Sequence, residues 1–155
     1  MRQFNTFRIK GRLYAIDIRD VKEVDTGVDF TPIPHAPDQV RGYINVRGQI
    51  YLILDLRKLL RAKDKAADEA DRVVLFKPHV GECFGVLVDN MADIVSVDES
   101  QIENRRKNDQ VFPEDAERRG ADIAVGICKL ENDLLVIIDS RNLLNTIGGS
   151  ETPRR

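Results

Sequence analysis

The chain has 155 residues, 42% of them hydrophobic and 32% charged, enough apolar material for one domain with its own core. Its net charge of −2, with acids and bases interspersed, gives no general attraction to nucleic acid or to an anionic membrane. No apolar run approaches the ~20 residues of a membrane span, and the polar opening MRQFNTFRIK lacks the apolar segment of a signal peptide. The expected location is the cytoplasm.

From the N-terminus, FRIKGRLYAIDI (7–18) alternates around Gly11, offering Leu13, Ile16 and Ile18 for packing as a strand. DIRDVKEV (17–24) is the first short helical candidate. DFTPIPHAP (29–37) carries Pro32, Pro34 and Pro37, which remove ladder donors and predict an extended loop. YLILDL (51–56) reads as a strand and LRKLL (56–60) as a short helical turn. RAKDKAADEADR (61–72) is charged and alanine-rich, a solvated connector or a short exposed helix. RVVLF (72–76) and CFGVLV (83–88) are strands of β-branched and aliphatic residues. NRRKNDQVFPEDAERRGAD (104–122) reads as a long polar loop, DLLVIID (133–139) as a strand, and SRNLL (140–144) as another short turn. The tail GGSETPRR should fray. Cys83 and Cys128, too few for a disulfide framework, sit in strand-like runs as small hydrophobes.

An internal repeat organises these elements. VRGYINVRGQIYLILDLRKLL (40–60) lies over AVGICKLENDLLVIIDSRNLL (124–144) without a gap. Identical pairs are Gly42/Gly126, Ile53/Ile137, Asp55/Asp139, Arg57/Arg141, Leu59/Leu143 and Leu60/Leu144. A weaker echo sets GRLYAIDIRDVKEV (11–24) over GECFGVLVDNMADI (81–94). The chain reads as one domain over 4–148, with repeated halves near 4–60 and 73–144 and a tail at 149–155.

The repeat also separates what the fold needs from what it does not. Gly42/Gly126 suit a strained or close-packed backbone position, and Asp55/Asp139 suit caps for the turns that follow their strands. Arg47, however, faces Glu131, Asn45 faces Lys129 and Gly48 faces Asn132. The second half manages without the N-x-R-G signature, so Asn45, Arg47 and Gly48 are the leading functional candidates. Arginine on a tight turn can fork onto a partner's carboxylates or carbonyls, and it is enriched at binding hot spots.

Other chemistries find little support. His35, His79 and Cys83 supply no compact set of four metal ligands. Asp55, Asp89 and Asp139 each end a strand, where carboxylates cap, and no nucleophile or phosphate-loop motif accompanies them. ENRRKNDQ (103–110) is flanked by acids and has only Phe112 nearby to stack on a base. No metal, cofactor, nucleic-acid partner or membrane insertion is expected, and a small β-barrel enzyme is the least favoured reading.

The segment VRGYINVRGQIYLILDLR (40–57) resembles the V-x-G-x-x-N-x-R-G-x-I-x-P-x-x-D-L signature of the CheW family of chemotaxis adaptors. LYAIDIRDVKEV and TPIPHAP resemble the family's opening strand, turn and pre-signature loop. GVLVDNMADIVSVDESQIE and GICKLENDLLVIIDSRNLL resemble its second half. The likeness runs from Phe4 to Leu144. It implies a mainly β fold of two small five-stranded β-barrels packed around a shared hydrophobic core, with short helices. It also implies two partners, the regulatory domain of a CheA-like histidine kinase and the cytoplasmic tip of a methyl-accepting chemoreceptor. The protein would then be recruited to receptor arrays at the inner membrane. The family's partner-sensitive positions fall on Val21, Glu23, Gly42 and Arg47. One departure bears on partner choice: Leu52 stands where the signature has proline. An accessory member of a non-flagellar pathway, binding only one partner, is the alternative within the family.

Overall fold

Runs of apolar, β-branched residues form strands when both of their faces can be buried, and that is what most of this chain does. A computed structural model describes residues 1–26, 29–60, 71–104 and 123–146. Apart from Asp71, Arg72 and Asn104, the expected connector at 61–72 and polar loop at 104–122 lie outside the described residues, as does the tail. The strands are β1 (Arg2–Ile9), β2 (Arg12–Asp17), β3 (Val21–Asp25), β4 (Val40–Val46), β5 (Gln49–Asp55), β6 (Arg72–Phe76), β7 (Phe84–Val88), β8 (Asn90–Met91), β9 (Val95–Val97), β10 (Ile102–Asn104), β11 (Ala124–Lys129) and β12 (Leu134–Ile138). Helix α1 (Leu56–Leu59) is one turn, and 3₁₀ turns occupy Ile18–Asp20, Glu99–Gln101, Ser140–Asn142 and Leu144–Thr146.

The strands form two sheets. One is five-stranded in the order β3-β6-β7-β5-β4; the other is seven-stranded, β10-β11-β12-β2-β1-β8, with β9 also on β1. The expected closed barrels are therefore not formed by the ladders. In the five-stranded sheet the reason is local: the outward N–H and C=O of Tyr43 on β4 are taken by Thr31 (2.9 and 2.8 Å), not by β3. The prolines of the preceding loop leave Thr31 extended for that bridge, and the arrangement covers an edge strand.

The repeat is realised in register. Leu52 pairs in parallel with Phe84, and their counterparts Val136 and Tyr14 pair in the same sense. Val40↔Leu54 and Gly42↔Ile53 flank a bulge, matched by Ala124↔Ile138 and Gly126↔Ile137. The halves exchange hairpins, however. β1–β2 sits with β11–β12, and β6–β7 sits with β4–β5, so β12 returns to β2 to complete the larger sheet. The five-stranded sheet is one continuous stretch, Val21–Val88, set between the two parts of the other.

Alternation then fills three apolar clusters. Leu13 and Ala15 join Phe4, Leu135 and Ile137 within the larger sheet, while Ile53, Val73 and Leu75 join Ile44 and Leu87 within the smaller. Their alternate neighbours Tyr14, Ile16, Leu54, Val74, Phe76, Val136 and Ile138 meet in the largest cluster, to which both sheets contribute. Cys128 lies in the larger sheet's cluster, where burial raises its thiol pKa.

Strand ends carry the polar residues. Asp55 and Asp139 accept from the backbone N–H of Arg57 (3.0 Å) and Arg141 (3.1 Å), as the repeat predicts, and Asp17 does the same for Arg19 (2.9 Å). The helical expectation at 17–24 holds only for Ile18–Asp20, because Val21 onwards pairs with β6 and is strand. The pull of β-branched Val21 and Val24 towards that ladder outweighs local turn preference.

Two predictions follow from buried polar groups. Ser140 takes the place of Leu56 in the repeat, is 2% exposed, and its Oγ has no hydrogen-bond partner among the described residues. Ser140→Ala should raise stability by about 1 kcal/mol in urea unfolding. Burial alone would raise the pKa of Asp17, but hydrogen bonds from Arg19 and Arg2 outweigh it and hold the carboxyl well below its usual range. A depressed folded-state pKa adds stability above the unfolded value of ~3.9 and loses it as pH falls. Stability measured from about pH 5 down to about pH 2 should therefore fall less steeply in Asp17→Asn than in wild type.

Candidate functional site

The β4–β5 hairpin turns through two residues, Arg47 and Gly48, between paired Val46 and Gln49. Both have positive φ, 50° and 90°, the handedness that suits a two-residue hairpin. Glycine adopts this freely, and Asn45 supports it by accepting the Gly48 N–H on Oδ1 (2.9 Å). Asn45 and Gly48 thus have a local explanation. Arg47 does not. A left-handed conformation is uncommon for a long side chain; Lys10 shares it ahead of Gly11 in the β1–β2 turn, whereas Glu131, which matches Arg47 in the repeat, is not among the residues of positive φ. Local preference at this position is for Asn or Gly.

The Arg47 side chain, 69% exposed, crosses to Glu23 with Nη2–Oε1 at 2.5 Å. Glu23 is on β3, at the opposite edge of the five-stranded sheet. Flat strands ~4.8 Å apart would set these edges about 19 Å from each other, farther than two side chains can span. The sheet is curled, and side chains cover the seam that the ladder leaves open. A bulge between Val21 and Glu23 places Lys22 in the same region, where its Nζ donates to Tyr51 OH (2.8 Å) and lies 5.5 Å from the ring centroid. Tyr51 packs below, in the smaller sheet's cluster. The hydrogen bond from Arg47, and one with Asp25, lower the Glu23 pKa; burial, then the hydrogen bond and charge of Glu23, raise that of Asp25.

Of the six candidate positions, the structure brings Glu23 and Arg47 into contact and puts Asn45 and Gly48 in the turn beneath them. Val21 is half-buried at the head of β3 and packs on the inter-sheet cluster. Gly42 is buried. Its φ is +143°, and an added Cβ would stand 2.6 Å from the Thr31 carbonyl oxygen. Gly42 thus sits against the Thr31 segment, which Phe30 also holds by lying under Arg41 (4.3 Å). His79 hydrogen-bonds Asp20 (2.9 Å).

A family model described as a CheW-like domain matches residues 3–148. The chain belongs to the CheW-like family. It is 31% identical over 140 residues to the chemotaxis protein CheW of Bacillus subtilis (strain 168), covering 90% of this chain and 84% of that protein. The figures for the chemotaxis protein CheW of Rhizobium meliloti (strain 1021) are 30% over 139 residues, 89% and 84%. The crystal structure of the scaffolding protein TtCheW from Thermoanaerobacter tengcongensis superposes with a TM-score of 0.75 at 28% identity, covering 88% of each chain.

Within this CheW-like fold, the seam residues Lys22, Asp25 and Tyr51 escaped the sequence reading. Asp25 had a visible signal, two residues beyond Glu23 on one strand. Lys22 had none, since only the bulge turns it towards Tyr51. The Leu52 departure has a backbone consequence: its N–H donates to the Cys83 carbonyl (2.9 Å), a β5–β7 bond that proline cannot make. Gly42→Ala should cost at least about 2 kcal/mol, since it combines a strained φ with a steric clash, and hydrogen exchange should find the Thr31 amide losing protection.

Proposed function

We propose that this chain is a non-catalytic coupling adaptor of chemotaxis signalling. It binds the regulatory domain of a CheA-like histidine kinase and the cytoplasmic tip of a methyl-accepting chemoreceptor. The curled five-stranded sheet offers the seam at Arg47 and Glu23, and the inter-sheet surface beside Val21 takes the receptor's helical hairpin. No helix among the described residues is long and apolar enough to cross a membrane, so recruitment to receptor arrays at the inner membrane rests on these protein contacts.

The observation that carries this reading is Arg47. The other half of the repeat lacks the arginine, so the fold does not require it, yet the side chain is held in the open over Glu23. An exposed guanidinium already held in place loses little freedom on making a forked contact with a partner. Arg47→Asn is the discriminating variant, since asparagine tolerates the left-handed turn. It should keep the thermal midpoint near that of wild type while calorimetric titration against at least one of the two partners shows affinity reduced about tenfold or more. Unchanged affinity for both would remove Arg47 from the interface. Failure of the wild type to bind either partner would end the adaptor reading.

Leu52 sustains one second reading, an accessory family member of a non-flagellar pathway that engages a single partner. It is half-buried, packs against the inter-sheet cluster and pairs with exposed Tyr43. The same titration decides: binding of one partner alone supports the accessory role.

A further inference from the structure

Among the described residues the chain passes between the sheets twice, through Ile18–Asp20 and through Asp89. The weaker echo places these crossings at matching positions. A carboxylate shielded from solvent holds each. At the first, Asp17 takes the guanidinium groups of Arg19 (2.8 Å) and Arg2 (3.0 Å), both from the crossing or the larger sheet. At the second, the clamp reaches between elements. Arg57, from α1 at the end of β5, donates Nε to Asp55 (3.2 Å) and sets Nη1 in ion-pair contact with Asp89 (3.2 Å), with side chains only 7%, 9% and 12% exposed.

The repeat shows that this clamp is not a requirement of the folding unit. The counterparts of Arg57 and Asp89 are Arg141 and Arg19, two cations, which cannot attract each other. Their end of the molecule is correspondingly less zipped: the β12–β2 ladder ends at Ile137↔Ala15, whereas β5–β7 continues to Asp55↔Leu87. Beyond Asp89, β8 pairs Asn90 and Met91 with Arg8 and Phe7 of β1. Met91 packs half-buried on the inter-sheet cluster, as does Val21, its echo beyond the other crossing.

We infer that Arg57 is a positioning residue. By fixing Asp89 it sets how the larger sheet meets the smaller one, and so where Met91 stands relative to Val21 on the inter-sheet surface. The clamp itself stands on geometry alone; its effect on the receptor hairpin rests on the functional reading above.

Arg57→Lys keeps the charge but loses the planar group that hydrogen-bonds Asp55 while lying in ion-pair contact with Asp89. Asp89→Asn keeps a neutral hydrogen-bonding group, which guards against the unfolding that an unpaired buried charge can cause. Both variants of the full chain would be followed by hydrogen exchange and titrated separately with a receptor hairpin and a kinase regulatory domain. Exchange at Asn90–Ala92 should quicken about tenfold or more while amides within Val73–Phe76 and Leu135–Ile138 keep their protection. Hairpin affinity should drop about tenfold, and kinase-domain affinity should stay within about twofold. Unaltered exchange at 90–92, or an equal loss of protection across both sheets, would overturn the positioning role. If the wild type does not bind the hairpin, the functional reading falls, and the exchange pattern still decides the clamp.

Discussion

The central strands of this molecule are buried on both faces, and most of its other features follow from that constraint. A strand covered on one face alternates apolar and polar residues; these run continuously apolar, as in LYAI, LIL, VVLF, FGVLV and LLVII. One set of side chains fills the sheet's own curl and the other fills the space between sheets. Neither sheet could expose the second face without presenting an apolar surface to water, so each needs its neighbour. The same constraint pushes polar chemistry to the strand ends, the turns and the seam between β3 and β4, because nowhere else is left for it.

Strand ends therefore carry most of the specification. The Asp-x-Arg step appears three times, at Asp17, Asp55 and Asp139, each carboxylate accepting the backbone N–H two residues on. The capping function needs only the aspartate. The arginines are free to diverge: Arg141 lies exposed, Arg19 folds back on its own aspartate, and Arg57 is buried across a chain crossing. A duplicated unit preserves the shared geometry and lets the remaining side chain acquire a separate task at each copy. For the same reason internal comparison can stand in for an alignment here: what both copies keep is geometry, and what one copy holds alone needs a separate explanation.

The strands and the capping aspartates were legible because their causes are local. A doubly buried run reads as apolar without reference to its partner, and Asp55 caps whichever sheet its strand joins. Pairing was not legible. Strand β2 and strand β7 echo each other, so apolar pattern alone does not decide which of their hairpins joins which sheet. The short strands β8, β9 and β10 are imposed by β1 and β11, not by their own composition. The helical expectation over 17–24 runs past Asp20 because the bulge after Val21 breaks the period of two that marks a strand, and the same bulge hides the approach of Lys22 to Tyr51.

The candidate site was half legible for a related reason. Asn45 and Gly48 resembled function in the sequence because the other copy lacks them, yet the turn accounts for both. Glu131 and Asn132 occupy the same loop without a left-handed glutamate, so the two copies solve one turn in two ways. What survives this subtraction is Arg47, where local preference and the observed residue disagree. Natural sequences keep local and global preferences consistent over most of their length, and the left-handed turn is not peculiar to Arg47, because Lys10 ahead of Gly11 adopts it too. What sets Arg47 apart is that its guanidinium is held by Glu23 across an open sheet edge while most of its side chain remains in solvent. An exposed ion pair stabilises a fold only weakly, so the pair with Glu23 gives little account of Arg47 by itself, and this supports the proposed role of Arg47 in binding.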